Sequence, residues 1–317
     1  MSLQDTPSAA APQPVTTALM GADRVMLGVS LMIFFCLVAP LIDVSSKLAA
    51  QAVPVGTVTL GRMVVQGALM LPVVLLMRLP MTMSRRVIKL TLARAVTSIL
   101  ATYCFVAAVQ VMPIADALAI AFVEPFIILL IGKLALGEQV GPRRLGAAVV
   151  GFGGALAVIQ PSFAAFGATA LFPLGTALFF ALYMLITRSL SRISHPVVMQ
   201  MQTAVVAAVL CLPVLLIGTA SGAREIAFAW PSGVFWLWVF CVGLAATISH
   251  MAMTYALAFA PSATLAPLHY LEIVTATLFG FLFFGDFPGG LTWSGIAIIV
   301  TSGLYVIHRE RVSAGRA

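Results

Sequence analysis

Charge is what this sequence has least of. Asp, Glu, Lys and Arg make up 9% of its 317 residues, against about a quarter of a typical soluble domain. With 62% of residues hydrophobic, there is too little polar side chain to cover a water-facing surface, which sets aside an ordinary soluble enzyme or binding module. Cysteine is scarce as well. Cys36, Cys104, Cys211 and Cys241 fall singly inside apolar runs and form no CxxC, so they read as small buried hydrophobes rather than a disulfide framework or metal site. The four histidines are scattered, and HExxH, GxSxG and P-loop patterns are missing. These absences weigh against a membrane-embedded enzyme, against any metal or other cofactor, and against ATP as the driving force.

What is present is a series of apolar segments, each about long enough to cross a bilayer. We place them at 24–48, 54–77, 87–109, 113–134 and 142–160, then at 171–190, 196–218, 233–259, 262–284 and 291–308. The breaks carry Pro, Gly or paired Arg, as helix ends do. The expected fold is therefore an all-α integral membrane protein with ten transmembrane helices. Residues 1–23, rich in Ala, Pro, Ser and Thr, are expected to form a disordered tail, with 309–317 as a second tail. The net charge of +7 does not imply a nucleic-acid partner, because the basic residues sit in the breaks. Arg85, Arg86, Arg143, Arg144, Arg188 and Arg192 share one side of the membrane, whereas Lys47 and Arg224 lie on the other. By the positive-inside rule both termini are cytoplasmic, in a multi-pass protein of a cell inner membrane.

The chain also repeats itself. Pro113, Glu124, Gly132 and Gly137-Glu138 are answered by Pro261, Glu272, Gly280 and Gly285-Asp286, all at one offset (261 − 113 = 148). After one inserted residue, Gly146 and Gly154 are answered by Gly295 and Gly303. Residues 24–160 and 171–308 thus form two five-helix repeats. An odd number of spans per repeat makes the second enter the membrane from the opposite side, an inverted repeat suited to alternating access.

Ionisable residues inside spans are costly and so mark function. Glu124 and Glu272 fall at similar mid-membrane depth from opposite halves. They are candidates for proton coupling or for pairing with a cationic substrate group; neutralisation by Arg62 or Arg94, or capping of a helix break near Pro125, is the structural alternative. Arg62 suits a substrate carboxylate or phosphate, or an ion pair, while Arg94 is expected to snorkel to the interface. Asp43 and Lys47, one helical turn apart, are expected to pair near the outer mouth, as a gate or as a structural contact. His269 and Tyr270, with Tyr103, His250 and Tyr255, suit the polar aromatic wall of a cavity, or else reach interfaces and neighbouring helices. Trp230, Trp236 and Trp238 read as interfacial anchors. Gly146, Gly151, Gly153 and Gly154 read as a close helix-packing stripe rather than a nucleotide loop.

In this order the motifs resemble a known family, the EamA-type members of the drug/metabolite transporter superfamily. The resemblance rests on the tandem halves, Lys47 closing the first span, Arg62 in the second, Pro125 ahead of Leu136-Gly137-Glu138, then Gly146 and Gly154. It implies a ten-helix carrier with a central cavity between the halves. Two positions depart from the pattern: Ile273 stands where the first half has Pro125, with Pro267 earlier, and Asp286 stands for Glu138. The expected function is secondary transport of a small organic metabolite across the inner membrane, with protons as an optional partner, by a monomer or weak homodimer. Two substrate classes stay open: an amino-acid-like metabolite exported or exchanged, or a larger planar metabolite such as riboflavin or S-adenosylmethionine taken up.

Overall fold

The structure, a computed structural model, describes residues 15–81, 84–135, 142–191, 193–260, 265, 268, 269 and 271–314. Its described residues contain helices and no strands: α1 (Val15–Ala49), α2 (Val55–Leu76), α3 (Arg85–Val109), α4 (Ile114–Ala121), α5 (Glu124–Ala135), α6 (Pro142–Phe166), α7 (Phe172–Leu190), α8 (Pro196–Ser221), α9 (Phe235–Phe259), α10 (Leu271–Phe284) and α11 (Gly290–Ala314). Among the described residues, six stretches are long and apolar enough to cross a membrane: Val25–Ala49, Val55–Leu76, Arg85–Val109, Ser162–Leu190, Pro196–Ser221 and Phe235–Phe259. Large apolar side chains such as Leu76, Ile217 and Leu282 stand exposed on the outside of the bundle. A surface of that kind is matched to lipid rather than to water.

Helix ends follow local chemistry. Ser84 caps α3 by accepting from the Val87 N–H, and His195 caps α8 by accepting from the Val197 N–H, each satisfying one of the free donors of a first turn. The α10 helix ends at Gly285, whose φ of +71° is the left-handed conformation that glycine adopts without strain. There the Asp286 N–H reaches back to the Gly280 carbonyl and the Gly285 N–H to that of Phe281, a hydrogen-bonded helix stop. The Gly285-Asp286 step is therefore a helix terminus; its echo, Gly137-Glu138, lies outside the described residues, as do Pro267 and Tyr270.

Two boundaries differ from expectation. The first helix begins at Val15, so part of the expected tail is helical. The expected fourth span, 113–134, is not one helix: α4 stops at Ala121, residues Phe122 and Val123 form a turn, and Glu124 opens α5. Pro125 follows as the second residue of α5, where a missing N–H costs no helical hydrogen bond.

Lipid offers no hydrophobic incentive for helices to associate, so the bundle relies on close packing and hydrogen bonds. The most extensive helix pairs are α1 with α9, α3 with α7, α2 with α8, and α6 with α11. Glycines make the last of these close. A Cβ on Gly154 would lie 2.8 Å from Ile298 Cγ2 and 3.1 Å from the Gly295 carbonyl oxygen. Of the expected stripe, Gly151 and Gly154 sit in contacts that a Cβ would fill, whereas Gly146 and Gly153 face open space. Proline adds a tie between α1 and α10. Pro40 lacks the N–H that would bond the Cys36 carbonyl one turn back, and Thr275 Oγ1 donates to that carbonyl instead at 2.6 Å.

Candidate substrate site

A central cavity, about 810 Å³ of empty space counted out to its open mouth, is lined by residues of α1, α2, α3, α4, α5, α7, α9 and α10. On α3 its lining runs from Ser98 to Val106 and on α1 it reaches Ser46, so it occupies the half of the bundle nearer Lys47.

The break between α4 and α5 places Glu124 at the start of a helix deep in this cavity, 5% exposed. From the other half, α10 presents Glu272, with His269 one turn earlier. The His269 Nε2 lies 3.0 Å from Glu272 Oε2, and its Nδ1 lies 4.0 Å from Glu124 Oε2. Glu124 and Glu272, expected at similar depth from opposite halves, both approach His269. Neither described carboxylate is paired with Arg62 or Arg94. Around His269 stand Phe35, Phe122 and Phe180, with ring centres 5.4, 5.5 and 6.2 Å away. Cys36 Sγ donates to the Leu268 carbonyl at 3.1 Å, which holds the His269 segment against α1.

The arginines are committed elsewhere. Arg62 donates from Nη1 to Thr102 Oγ1, and its Nη2 lies 3.0 Å from His250 Nε2. Because a guanidinium only donates, this Nε2 must accept and the imidazole carries its proton on Nδ1, 3.3 Å from the Tyr183 hydroxyl. Arg94 does not snorkel. It is 0% exposed, because acceptors from α7 and α8 surround it: Thr187 Oγ1 at 2.8 Å, Thr203 Oγ1 at 2.6 Å, Gln200 Oε1 at 2.8 Å, the Met199 carbonyl at 3.4 Å, and the Tyr183 hydroxyl. Its guanidinium also sits 4.4 Å from the centre of the Tyr183 ring. A chain of hydrogen bonds thus runs Arg94, Tyr183, His250, Arg62, Thr102 across the end of the cavity away from Lys47.

The expected Asp43–Lys47 pair does not form. Lys47 Nζ lies 2.7 Å from Asp286 Oδ2, donates to the Met112 carbonyl at 3.2 Å and stands 4.7 Å from the Phe284 ring centre. The helix-ending turn at Gly285 brings Asp286 beside it, and that partner outcompetes the local one. Asp43 lines the cavity instead, 7% exposed, with Oδ2 buried and without a hydrogen-bond partner.

Tyr103 and Tyr255 are not part of the cavity wall. Tyr103 lines a separate apolar groove between α2, α3 and α8, and Tyr255 packs on Phe259 and His195. Trp230 and Trp236, their rings 5.8 Å apart, stand 74% and 50% exposed near the start of α9, as interfacial anchors would. The residues that sequence reasoning passed over are Thr102, Tyr183 and the three phenylalanines. A signal was available for some of them. Tyr183 follows Phe35, and His250 follows Thr102, by the offset of the repeat (183 − 35 = 148; 250 − 102 = 148).

The sequence profile of the EamA-like transporter family matches this chain twice, over residues 26–160 and 167–308. The chain belongs to the EamA-like transporter family. Among its relatives is a riboflavin transporter from Rhizobium johnstonii, 34% identical over 219 residues that cover 69% of this chain and 70% of that protein. An S-adenosylmethionine uptake transporter from Rickettsia felis is 25% identical over 206 residues, covering 65% and 67%. A pseudopaline exporter from Pseudomonas aeruginosa is 26% identical over 223 residues, covering 69% and 75%. A protein solved by crystallography shares the fold, with a TM-score of 0.62 at 18% identity over 89% of this chain and 95% of that one. This EamA protein is thus a multi-pass membrane transporter of a small metabolite.

Proposed function

We propose that this EamA protein is an uptake carrier for a flat, uncharged heterocyclic metabolite of the riboflavin class, working by alternating access in an inner membrane. The observation that carries this reading is the aromatic enclosure of the cavity. Phe35, Phe122 and Phe180 surround His269 in tilted and edge-on arrangements, and Arg62 bonds Thr102 and His250 through its terminal nitrogens. Aromatic walls with a few placed polar groups suit a planar ligand. A zwitterionic amino acid would draw less from such walls, and its carboxylate would need an uncommitted cation. The riboflavin transporter among the relatives supports the same choice.

The inverted-repeat architecture of ten spans is part of this proposal. The family profile matches once per half, and the helix pairing has the pattern that a two-fold relation generates. Exchanging the halves turns the α1–α9 pair into α7–α3, and maps α2–α8 and α6–α11 onto themselves. With both termini cytoplasmic, as the Lys and Arg distribution favours, the cavity lies in the outer half and the Arg94 network lies across its inner end.

Reconstitution of the purified protein into proteoliposomes tests the function. Saturable uptake of labelled riboflavin is expected, resisting a tenfold excess of mixed amino acids. Flux of amino acids or S-adenosylmethionine without any flux of riboflavin would sink the assignment.

A further inference from the structure

Apart from the central cavity, the bundle carries a second hollow, the apolar groove between α2, α3 and α8. It holds about 690 Å³ of empty space counted out to its open side. Gly56, Thr59, Cys211 and Leu215 are its buried residues. Val96, Leu100 and Val214, also in its lining, stand 41%, 36% and 49% exposed, so the groove opens onto the lipid-facing surface. Both ends are closed. Toward the middle of the helices, Met63, Ala95 and Ala207 pack together and join α2, α3 and α8. At the other end Ile226 lies against Gly56, where a Cβ would fall 3.2 Å from the Ile226 Cα. Ile226 belongs to the connection that leads from Arg224 to Trp230, and the exposed Trp230 and Trp236 mark the interface level there. From Tyr103 to Val96 the groove therefore follows α3 inward from the interface for about 10 Å.

This shape and chemistry select an occupant. The Thr59 hydroxyl is spent on the Val55 carbonyl at 2.9 Å, and the remaining wall is almost wholly apolar, so water gains little by entering. Because α3 and α8 stay packed on each other, a helix of a second copy, about 10 Å across, is too thick to enter. A flexible hydrocarbon chain is narrow enough and runs in the same direction, from the interface toward the membrane centre. Left empty, the walls forfeit their dispersion contacts on that side. We propose that the groove seats one acyl chain of a membrane phospholipid, which props α3 against α8. The α2 and α3 walls lie in the first family-profile match and the α8 wall in the second. The seat exists only while the two halves keep this spacing. A chain in it favours the conformation described here, with the central cavity on the Lys47 side.

The test uses vesicles of phosphatidylethanolamine and phosphatidylglycerol doped with a phosphatidylcholine that carries a photoreactive diazirine midway along one chain. The purified full-length protein is reconstituted, irradiated and mapped by peptide mass spectrometry. Ile99 and Leu210, half-buried in the groove, are expected to label at least as strongly as Val209 and Ile217. Those two stand 65% and 66% exposed on α8 outside the groove. Labelling that follows exposure, with Val209 and Ile217 well ahead, marks ordinary surface lipid or a groove covered by protein, and overturns the seat. Leu210→Trp fills the groove and is expected to cut the label at Ile99 about tenfold, the equivalent of roughly two buried methylenes. Val209→Trp, outside it, leaves that label unchanged. An undiminished label in Leu210→Trp overturns the proposal, and the native labelling pattern decides alone if that variant does not fold. The propping effect has its own readout. Phosphatidylglycerol added to delipidated protein in detergent is expected to raise the melting temperature, and Leu210→Trp to lose most of that rise. Equal rises in the two proteins overturn the prop.

Discussion

Arg94 and the two glutamates are the residues whose burial demands the most explanation. Arg94 has no carboxylate partner among the described residues, yet its donors meet oxygens on α7 and α8 in a fork that an ammonium cannot reproduce. Arg94→Lys is expected to destabilise the protein by about 2 kcal/mol through the acceptors it leaves unmatched, measured as a lower melting temperature in detergent. Glu124 and Glu272 share one imidazole, which gives the cavity a place to hold a proton. If transport is coupled there, Glu124→Gln and Glu272→Gln each lose acceleration of uptake by an imposed pH gradient while riboflavin counterflow, which needs no net proton movement, persists. Unaltered gradient-driven uptake in both variants retires the coupling role. These glutamates were legible in the sequence because the repeat aligns them. The fate of Asp43 and Lys47 was not. Helical spacing makes them neighbours, but the choice of partner depended on a turn 239 residues further along, which brings Asp286 to Lys47.

Helices were more legible than side-chain partners, since an apolar run of bilayer length reports itself directly. The interruption of the fourth span at Phe122 and Val123 was less so, because these residues are as apolar as a continuing helix would be. Only Pro125 hinted at it. That interruption matters, for it makes a helix start that delivers Glu124 to the cavity. Close packing of α6 on α11 was readable from the glycines, though not which of them make it. Gly154→Val is expected to force the two helices apart, because even a Cβ would fall 2.8 Å from Ile298. Overpacking of this kind costs about 1–3 kcal/mol. Gly153→Val, on a face with open space, serves as the control and should leave the stability within about 1 kcal/mol of the parent, because valine is no poorer a helix former than the glycine it replaces.

At the scale of the whole molecule, charge is segregated rather than merely scarce. The chain has 17 basic and 10 acidic residues, yet among the described residues three acids, Asp43, Glu124 and Glu272, line the cavity, with Arg62 as its single Lys or Arg. A basic protein thus encloses an acidic site, and on the proposed riboflavin reading that arrangement bears on which form of a flavin can enter. A phosphate monoester adds about 1.5–2 negative charges at neutral pH. Inside a cavity with an effective dielectric near 20, each unit charge repels a carboxylate a few ångströms away by a few kcal/mol, and the Arg62 fork is already held by Thr102 and His250. Flavin mononucleotide, identical to riboflavin in its ring, is therefore expected to compete for uptake about a hundredfold more weakly, close to 3 kcal/mol on the binding scale. Competition curves of the two compounds against labelled riboflavin in proteoliposomes measure that ratio. Curves that coincide would mean that Arg62 leaves its partners to meet the phosphate, and that the acidic lining does not govern selection.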